Sequence, residues 1–451
     1  MRHALTTIAM LLACATAAHA ASWQPLFNGR DLAGWSQRNG QATYTVRDGA
    51  LVGTTVVGSP NSFLCTTDSY GDFIFECEFM ADWGLNSGVQ IRSERSPGVR
   101  GGRVYGYQVE IDPSDRAWTG GIYDESRRGW LHTLEAQPGS KQAYHKDGWN
   151  LLRVEARGTS IRTWVNGVPC ADILDNTTLR GFIGLQVHGV GNDSTKAGMC
   201  VRWRDLRIMT TGLDGEWTKN AGGIAQYNYV PNTISDRERT DGWSLLWDGA
   251  TTKGWRGAKV AAFPTKGWDI IDGTLSVSEA GGFESRMGGD IVTEAEYTNF
   301  MLIVDFRIAA GANSGIKYFV DPGLNKGEGS AIGCEYQILD DAVHEDAKKG
   351  VNGNRKLAGL YDLIPPQNVR FNGIDEWNRA TVIVNGRHVE HWLNGFKTVE
   401  YERATQMWRA LVDHSKYVVW PSFGEAPRGH ILLQDHGNRV SFRSIKIHPL
   451  P

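Results

Sequence analysis

Gln108, Glu110 and Asp112 stand two residues apart along Tyr107-Gln108-Val109-Glu110-Ile111-Asp112, and Glu335 and Gln337 do the same along Glu335-Tyr336-Gln337-Ile338. Residues two apart in a strand share a face. Each run therefore sets carboxylate and amide groups on one side and apolar groups on the other, a surface suited to a polar ligand. Gln186 and His188 pair in the same way on a later stretch, as do Gln434 and His436. Beyond Glu335 come Asp340, Asp341, His344, Glu345 and Asp346. Three or four oxygen ligands and one imidazole could hold a divalent cation. The irregular spacing equally describes a charged, solvated loop. Tyr123 and Tyr361 sit in matching Gly-x-Tyr-Asp runs, where a hydroxyl at a pocket can donate or relay a proton.

These side chains come in two sets because the chain repeats itself. Asn86-Ser87-Gly88 returns as Asn313-Ser314-Gly315, Asp48-Gly49 as Asp272-Gly273, Trp149-Asn150 as Trp377-Asn378, and Val165-Asn166-Gly167 as Leu393-Asn394-Gly395. An offset of roughly 225 residues is far too long for a solenoid repeat, so each copy is a whole domain. We expect a leader over 1–20, a first domain over 21–212, a linker over 213–240 and a second domain over 241–451. Trp217, Tyr227 and Tyr229 fall in the linker, and a free linker seldom carries three aromatics, so part of it should pack on a domain. The second copy alone carries an insertion around Ala404–Gly424.

Both copies are rich in short alternating runs such as Phe73-Ile74-Phe75-Glu76-Cys77 and Phe300-Met301-Leu302-Ile303-Val304. Asn-Gly and Asp-Gly pairs punctuate them and supply the positive φ of tight hairpins. The pattern predicts an all-β chain of two sandwich or jelly-roll domains. The net charge of −3 gives no basic field for nucleic acid. No serine-hydrolase elbow, phosphate loop or dinucleotide fingerprint is present. The 17 Trp are mostly core material, although flat aromatic faces also suit the C–H faces of sugars.

Arg2 and His3, the apolar stretch from Ile8 to Ala18 and the small residues of Ala18-His19-Ala20 read as a secretory signal, implying a periplasmic or secreted protein. Leu11-Leu12-Ala13-Cys14 offers a rival reading in which Cys14 is lipid-anchored. No other apolar run is long enough to span a bilayer. An oxidising compartment permits disulfides, and Cys65–Cys77 and Cys170–Cys200 are possible pairs. Cys334, alone in its copy, reads as a buried free thiol.

Phe27-Asn28-Gly29-Arg30-Asp31-Leu32-Ala33-Gly34-Trp35, the two Asn-Ser-Gly runs, Glu335-Tyr336-Gln337-Ile338-Leu339-Asp340-Asp341, Gly359-Leu360-Tyr361 and Gln434-Asp435-His436-Gly437 together resemble the 3-keto-disaccharide hydrolase domain family. The resemblance covers both copies and implies concanavalin A-like jelly rolls. It also implies an enzyme that cleaves 3-keto-glycosides, with a carbohydrate substrate and, in some members, a divalent metal. A ketone at C3 acidifies the C2 proton; a base removes it, the C1 substituent leaves, and added water completes a net hydrolysis. On that reading Glu335 or His344 is the base and Tyr361 the acid. Asp340, Asp341 and His436 are metal ligands or orienting groups, and Lys317, Gln337 and Gln434 hold sugar oxygens. The first copy has Gln108 where the second has Glu335. It is either a binding module or an active domain in which Glu110, Asp112 and His188 do related work beside Gln108 and Tyr123. A pair of lectin-like modules without catalysis is the competing reading, because fold does not fix function.

Overall fold

A computed structural model describes residues 22–219, 222–284 and 287–451. The leader over 1–20 and Cys14 lie outside the described residues. The chain is nearly all β and forms two jelly-roll sandwiches.

In the first, a nine-stranded sheet faces a seven-stranded one. Val89, Ile91, Tyr107, Val109, Ile111, Leu185 and Val187 of the seven-stranded sheet point into a core shared with Phe73, Phe75, Cys77 and Phe79 of the other. Strict alternation then turns Gln90, Gln108, Glu110 and Gln186 to the opposite face. The second sandwich pairs an eight-stranded with a five-stranded sheet. Ile316, Tyr318, Cys334, Tyr336, Ile338, Ile431 and Leu433 enter its core, which places Lys317, Glu335, Gln337 and Gln434 together on the face behind.

Register is equivalent in the two copies. Gly88 pairs with Glu110 and Gln90 with Gln108; Gly315 pairs with Gln337 and Lys317 with Glu335. The hairpins turn on left-handed pairs, Asp48-Gly49, Asn166-Gly167, Asp272-Gly273 and Asn394-Gly395. At Asn385-Gly386 only the glycine adopts positive φ, because Asn385 still pairs with His388 and the turn begins one residue later.

The segment between the sandwiches docks on both. Gln226–Asn228 adds a parallel strand beside Val168–Leu174. The short helix Asp236–Thr240 starts with a capping box of Ser235 and Glu238, and Glu238 forms a buried ion pair with Lys446 of the second domain. Tyr229 donates to the Leu131 carbonyl at 2.6 Å and stacks under the Arg379 guanidinium at 4.2 Å.

The cysteine pairings are corrected: all five described cysteines are free. Cys77 points into the core from one sheet, whereas Cys65 points out of the other, among Phe63, Val104 and Phe182. Cys170 and Cys200 lie on strands four places apart in one sheet. At about 4.8 Å per strand that gap is several times the reach of a disulfide. Cys334 is a fully buried thiol.

Candidate active site

The second copy places its polar residues around one buried carboxylate. Glu335 is 3% exposed, and its Oε2 lies 3.6 Å from the Lys317 ammonium. With the Gln337 amide turned to face it, the Gln337 nitrogen donates to Glu335 Oε1 at 3.2 Å. Burial raises the Glu335 pKa above the usual carboxylate value, while Lys317 and Lys416 pull it back. Lys317 is itself fixed by Ser330 and by the Ala331 carbonyl; Ser330 in turn donates to Asp290.

The repeated Asn-Ser-Gly run has a steric cause. A Cβ on Gly315 would lie 2.3 Å from Glu335 Oε1, and one on Gly88 would lie 2.5 Å from the Gln108 side chain. Only glycine on the neighbouring strand leaves room for the side chain that crosses it.

Lys416 went unrecognised in the sequence. It rides on the insertion, which folds as the helix Gln406–Asp413 and the 3-10 turn Lys416–Val419. Trp408 pins that insertion by stacking between Tyr401 and Phe423. The Lys416 backbone N–H donates to Asp362 Oδ2 at 2.8 Å, and its ammonium lies 4.2 Å over the Tyr361 ring. Although Lys416 is exposed as a residue, desolvation of its ammonium lowers its pKa; Glu335 opposes this and Lys317 adds to it. The only hint in the sequence is that the insertion belongs to one copy.

Tyr361 sits beside Glu335 through a backbone bond at 3.0 Å, but its hydroxyl donates to Asp346 Oδ2 at 2.7 Å. Burial and that bond push its phenol far above the ordinary value. Its proton is thus directed to Asp346 and away from a leaving group. His344 Nδ1 accepts the Asp346 backbone N–H at 3.1 Å, so a neutral ring carries its proton on Nε2. Burial and the neighbouring His436 favour that neutral form. His344 therefore presents a donor where a base needs a lone pair, which leaves Glu335 as the better base. The rings of His344 and His436 lie 6.0 Å apart. Gln434 donates to Glu284 Oε1 at 3.2 Å while its own amide oxygen is buried without a partner.

The expected metal ligands do not converge. Asp340 accepts backbone N–H groups from Gly311 and Ala342, and Asp341 accepts that of Leu357. Among the described residues the three-donor cluster is His388, Glu390 and Glu400, on another sheet. Among the described residues, those beside Glu335 do not fit a divalent ion.

In the first copy Gln108, Glu110, Tyr123 and His188 line one cavity of about 290 Å³ with Asn61, Arg116, Trp130 and Gln186. Glu110 Oε1 accepts from Asn86 at 2.5 Å and Arg116 at 2.9 Å, and Oε2 accepts from Gln108 at 3.0 Å. Gln108 accepts from Gln90 at 2.7 Å, and Gln90 accepts from Ser93 at 2.7 Å. Burial pushes Glu110 up to about 7 against these donors. Asp112 holds Arg116 at 2.7 Å, and His188 Nδ1 lies 2.8 Å from the Gly189 carbonyl. Lys317 and Lys416 have no counterpart here, since Gln90 occupies the first position and the insertion is missing.

Residues 22–209 and 242–448 both match the family described as the 3-keto-alpha-glucoside-1,2-lyase-like domain. The chain belongs to that family. Within the 3-keto-alpha-glucoside-1,2-lyase-like family, it is similar to a protein of Bacteroides thetaiotaomicron named 3-keto-disaccharide hydrolase. The two are 37% identical over 229 residues, 46% of this chain and 78% of the relative. Among solved structures, a Parabacteroides distasonis protein described provisionally as a glycosyl hydrolase aligns at 30% identity and a TM-score of 0.43. That alignment covers 49% of this chain and 100% of the other. A carbohydrate-binding module of Bacillus subtilis aligns at 16% identity and a TM-score of 0.28, over 39% of this chain and 95% of its own.

Proposed function

We propose that the second domain cleaves 3-keto-glycosides by elimination across C1 and C2, with water added afterwards for net hydrolysis. The observation that carries this is Glu335, a buried carboxylate of raised pKa with the Lys317 ammonium 3.6 Å away and a second ammonium, that of Lys416, near enough to pull that pKa back. Glu335 takes the C2 proton, and the electron pair of that bond moves toward the C3 carbonyl. Lys317 holds the oxygen on which the charge develops, as a buried, preorganised cation. The pair then forms the C1=C2 bond as the C1–O bond breaks. Lys416, whose lowered pKa makes it the readier acid, gives the departing oxygen its proton. Gln337 fixes Glu335, and Tyr361, committed to Asp346, serves as the platform under Lys416. The family membership and the named relative support the substrate class.

The test is incubation with a 3-keto-glucoside, with and without a chelator, following release of the C1 substituent and of the unsaturated keto-sugar. Glu335→Gln should lower turnover by roughly 10²–10⁴-fold, as removal of a general base does. Undiminished turnover in that variant would end the assignment.

A further inference from the structure

The first-domain cavity lacks the chemistry just described and keeps the recognition. We propose that it is a second, separate sugar site, which binds an intact, unoxidised pyranoside and does not cleave it. This rests on the same substrate class as the function proposed for the second domain, but on different residues.

Three observations point to a ligand. Gln186 is fully buried, lines the cavity and has neither its amide oxygen nor its amide nitrogen hydrogen-bonded. An amide left with both its NH2 group and its oxygen free, at a cost of about 1–3 kcal/mol for each buried unsatisfied group, matches two neighbouring ring hydroxyls, one accepting and one donating. Trp130 supplies the apolar wall. It packs edge-on against Tyr123 at 5.3 Å and against Trp118 at 4.7 Å, and the Arg116 guanidinium lies 5.1 Å over its ring. An aromatic face held this way suits the C–H face of a pyranose. Third, Glu110 can accept about four hydrogen bonds, and protein donors take three, so one acceptor position remains for a sugar hydroxyl.

The surroundings of Glu110 also differ from those of Glu335. The oxygens of Glu110 are tied to Asn86, Arg116 and Gln108. The position of Lys317 is taken by Gln90, whose amide is bonded to Gln108. The cation that lines this cavity is the Arg116 guanidinium, which already holds Glu110 at 2.9 Å and Asp112 at 2.7 Å. What remains is a set of amides, the carboxylates of Glu110 and Glu125 and an aromatic wall, which recognise hydroxyls without needing a ketone. Tyr123 also borders a wider depression of about 430 Å³ that Arg100 and Arg103 line, so a ligand longer than one ring would run across Tyr123.

The experiment uses the full chain carrying Glu335→Gln, titrated with trehalose and with methyl glucoside by calorimetry and tryptophan fluorescence. Binding of one equivalent, tighter for the disaccharide, is expected. Gln186→Met and, separately, Trp130→Ala should each weaken it roughly tenfold or more, the equivalent of one lost buried hydrogen bond or stacking face, with the unfolding midpoint of each variant checked alongside. Absence of binding, or binding unaffected by both variants, overturns the proposal. So does residual 3-keto-glucoside turnover in Glu335→Gln that disappears on adding Glu110→Gln, since the first domain would then be catalytic. If wild-type protein fails to turn over any 3-keto-glucoside yet trehalose binding depends on Gln186, the function proposed for the second domain falls and this site stands.

Discussion

Replacing Glu110 by Gln isolates the cost of keeping a carboxylate in the first-domain cavity. Glu110 is 3% exposed, and its pKa is raised from 4.5 to about 7, chiefly by burial. The folded state therefore holds the proton more tightly than the unfolded chain between pH 4.5 and 7. Stability must fall as pH rises through that window and level off above it. About two and a half pH units at roughly 1.4 kcal/mol each give about 3 kcal/mol. Glutamine has the same shape and never ionises, so it escapes this penalty. We expect the unfolding free energy of Glu110→Gln relative to wild type to grow by about 3 kcal/mol between pH 4.5 and pH 8. Urea unfolding of both proteins across that range measures it. Taking the difference between them removes every other titration they share. A difference independent of pH, or one that shrinks as pH rises, would show that Asn86, Gln108 and Arg116 compensate the buried charge fully and would refute the reasoning.

Gly315→Ala would place a methyl group 2.3 Å from Glu335 Oε1; kcat/KM should drop by about 10²-fold, the cost of a base displaced by about 1 Å, while circular dichroism stays native. The pH–rate profile should rise through a pKa above the ordinary 4.5 of Glu335 and fall through one below the ordinary 10.5 of Lys416. In Lys416→Met the rising limb should move to higher pH, because an ammonium that favours the ionised Glu335 is gone. Among the described cysteines only Cys200 is not buried, and burial pushes Cys65, Cys170 and Cys334 up to about 12. A thiol reagent should therefore label Cys200 in native protein and the other four only after unfolding.

The sandwich was legible in the sequence because alternation with period two leaves little freedom once one face is apolar. Tyr107, Val109 and Ile111 commit Gln108 and Glu110 to the outer face wherever the strand goes, and the repeat of Asn-Ser-Gly fixes which neighbour crosses them. What alternation cannot show is how loops return. Lys416 lies 81 positions beyond Glu335, on an insertion held by Trp408 stacking, and nothing near Glu335 in sequence announces it. Nor could spacing reveal the direction of a hydrogen bond. His344 and Tyr361 carry the right chemical groups, but the backbone of Asp346 occupies the His344 lone pair and its carboxylate accepts the Tyr361 hydroxyl's hydrogen bond. The cysteine pairs failed for a related reason. Proximity along the chain says nothing about which side of a sheet a thiol leaves from: Cys77 enters the core, while Cys65 leaves the facing sheet on its outer side.

The row Glu110–Gln108–Gln90–Ser93 has a polarity. With Glu110 ionised, every donor in it points toward the carboxylate. Put a proton on Oε2, and that oxygen must give where it used to receive. Gln108 and Gln90 can each rotate their amides to answer, and Ser93 can swing its hydroxyl onto the Ile91 or Tyr107 carbonyl, at 3.1 and 3.3 Å. One proton arriving at Glu110 would thus be registered three side chains away as a reversal of orientation, with no atom of the backbone displaced.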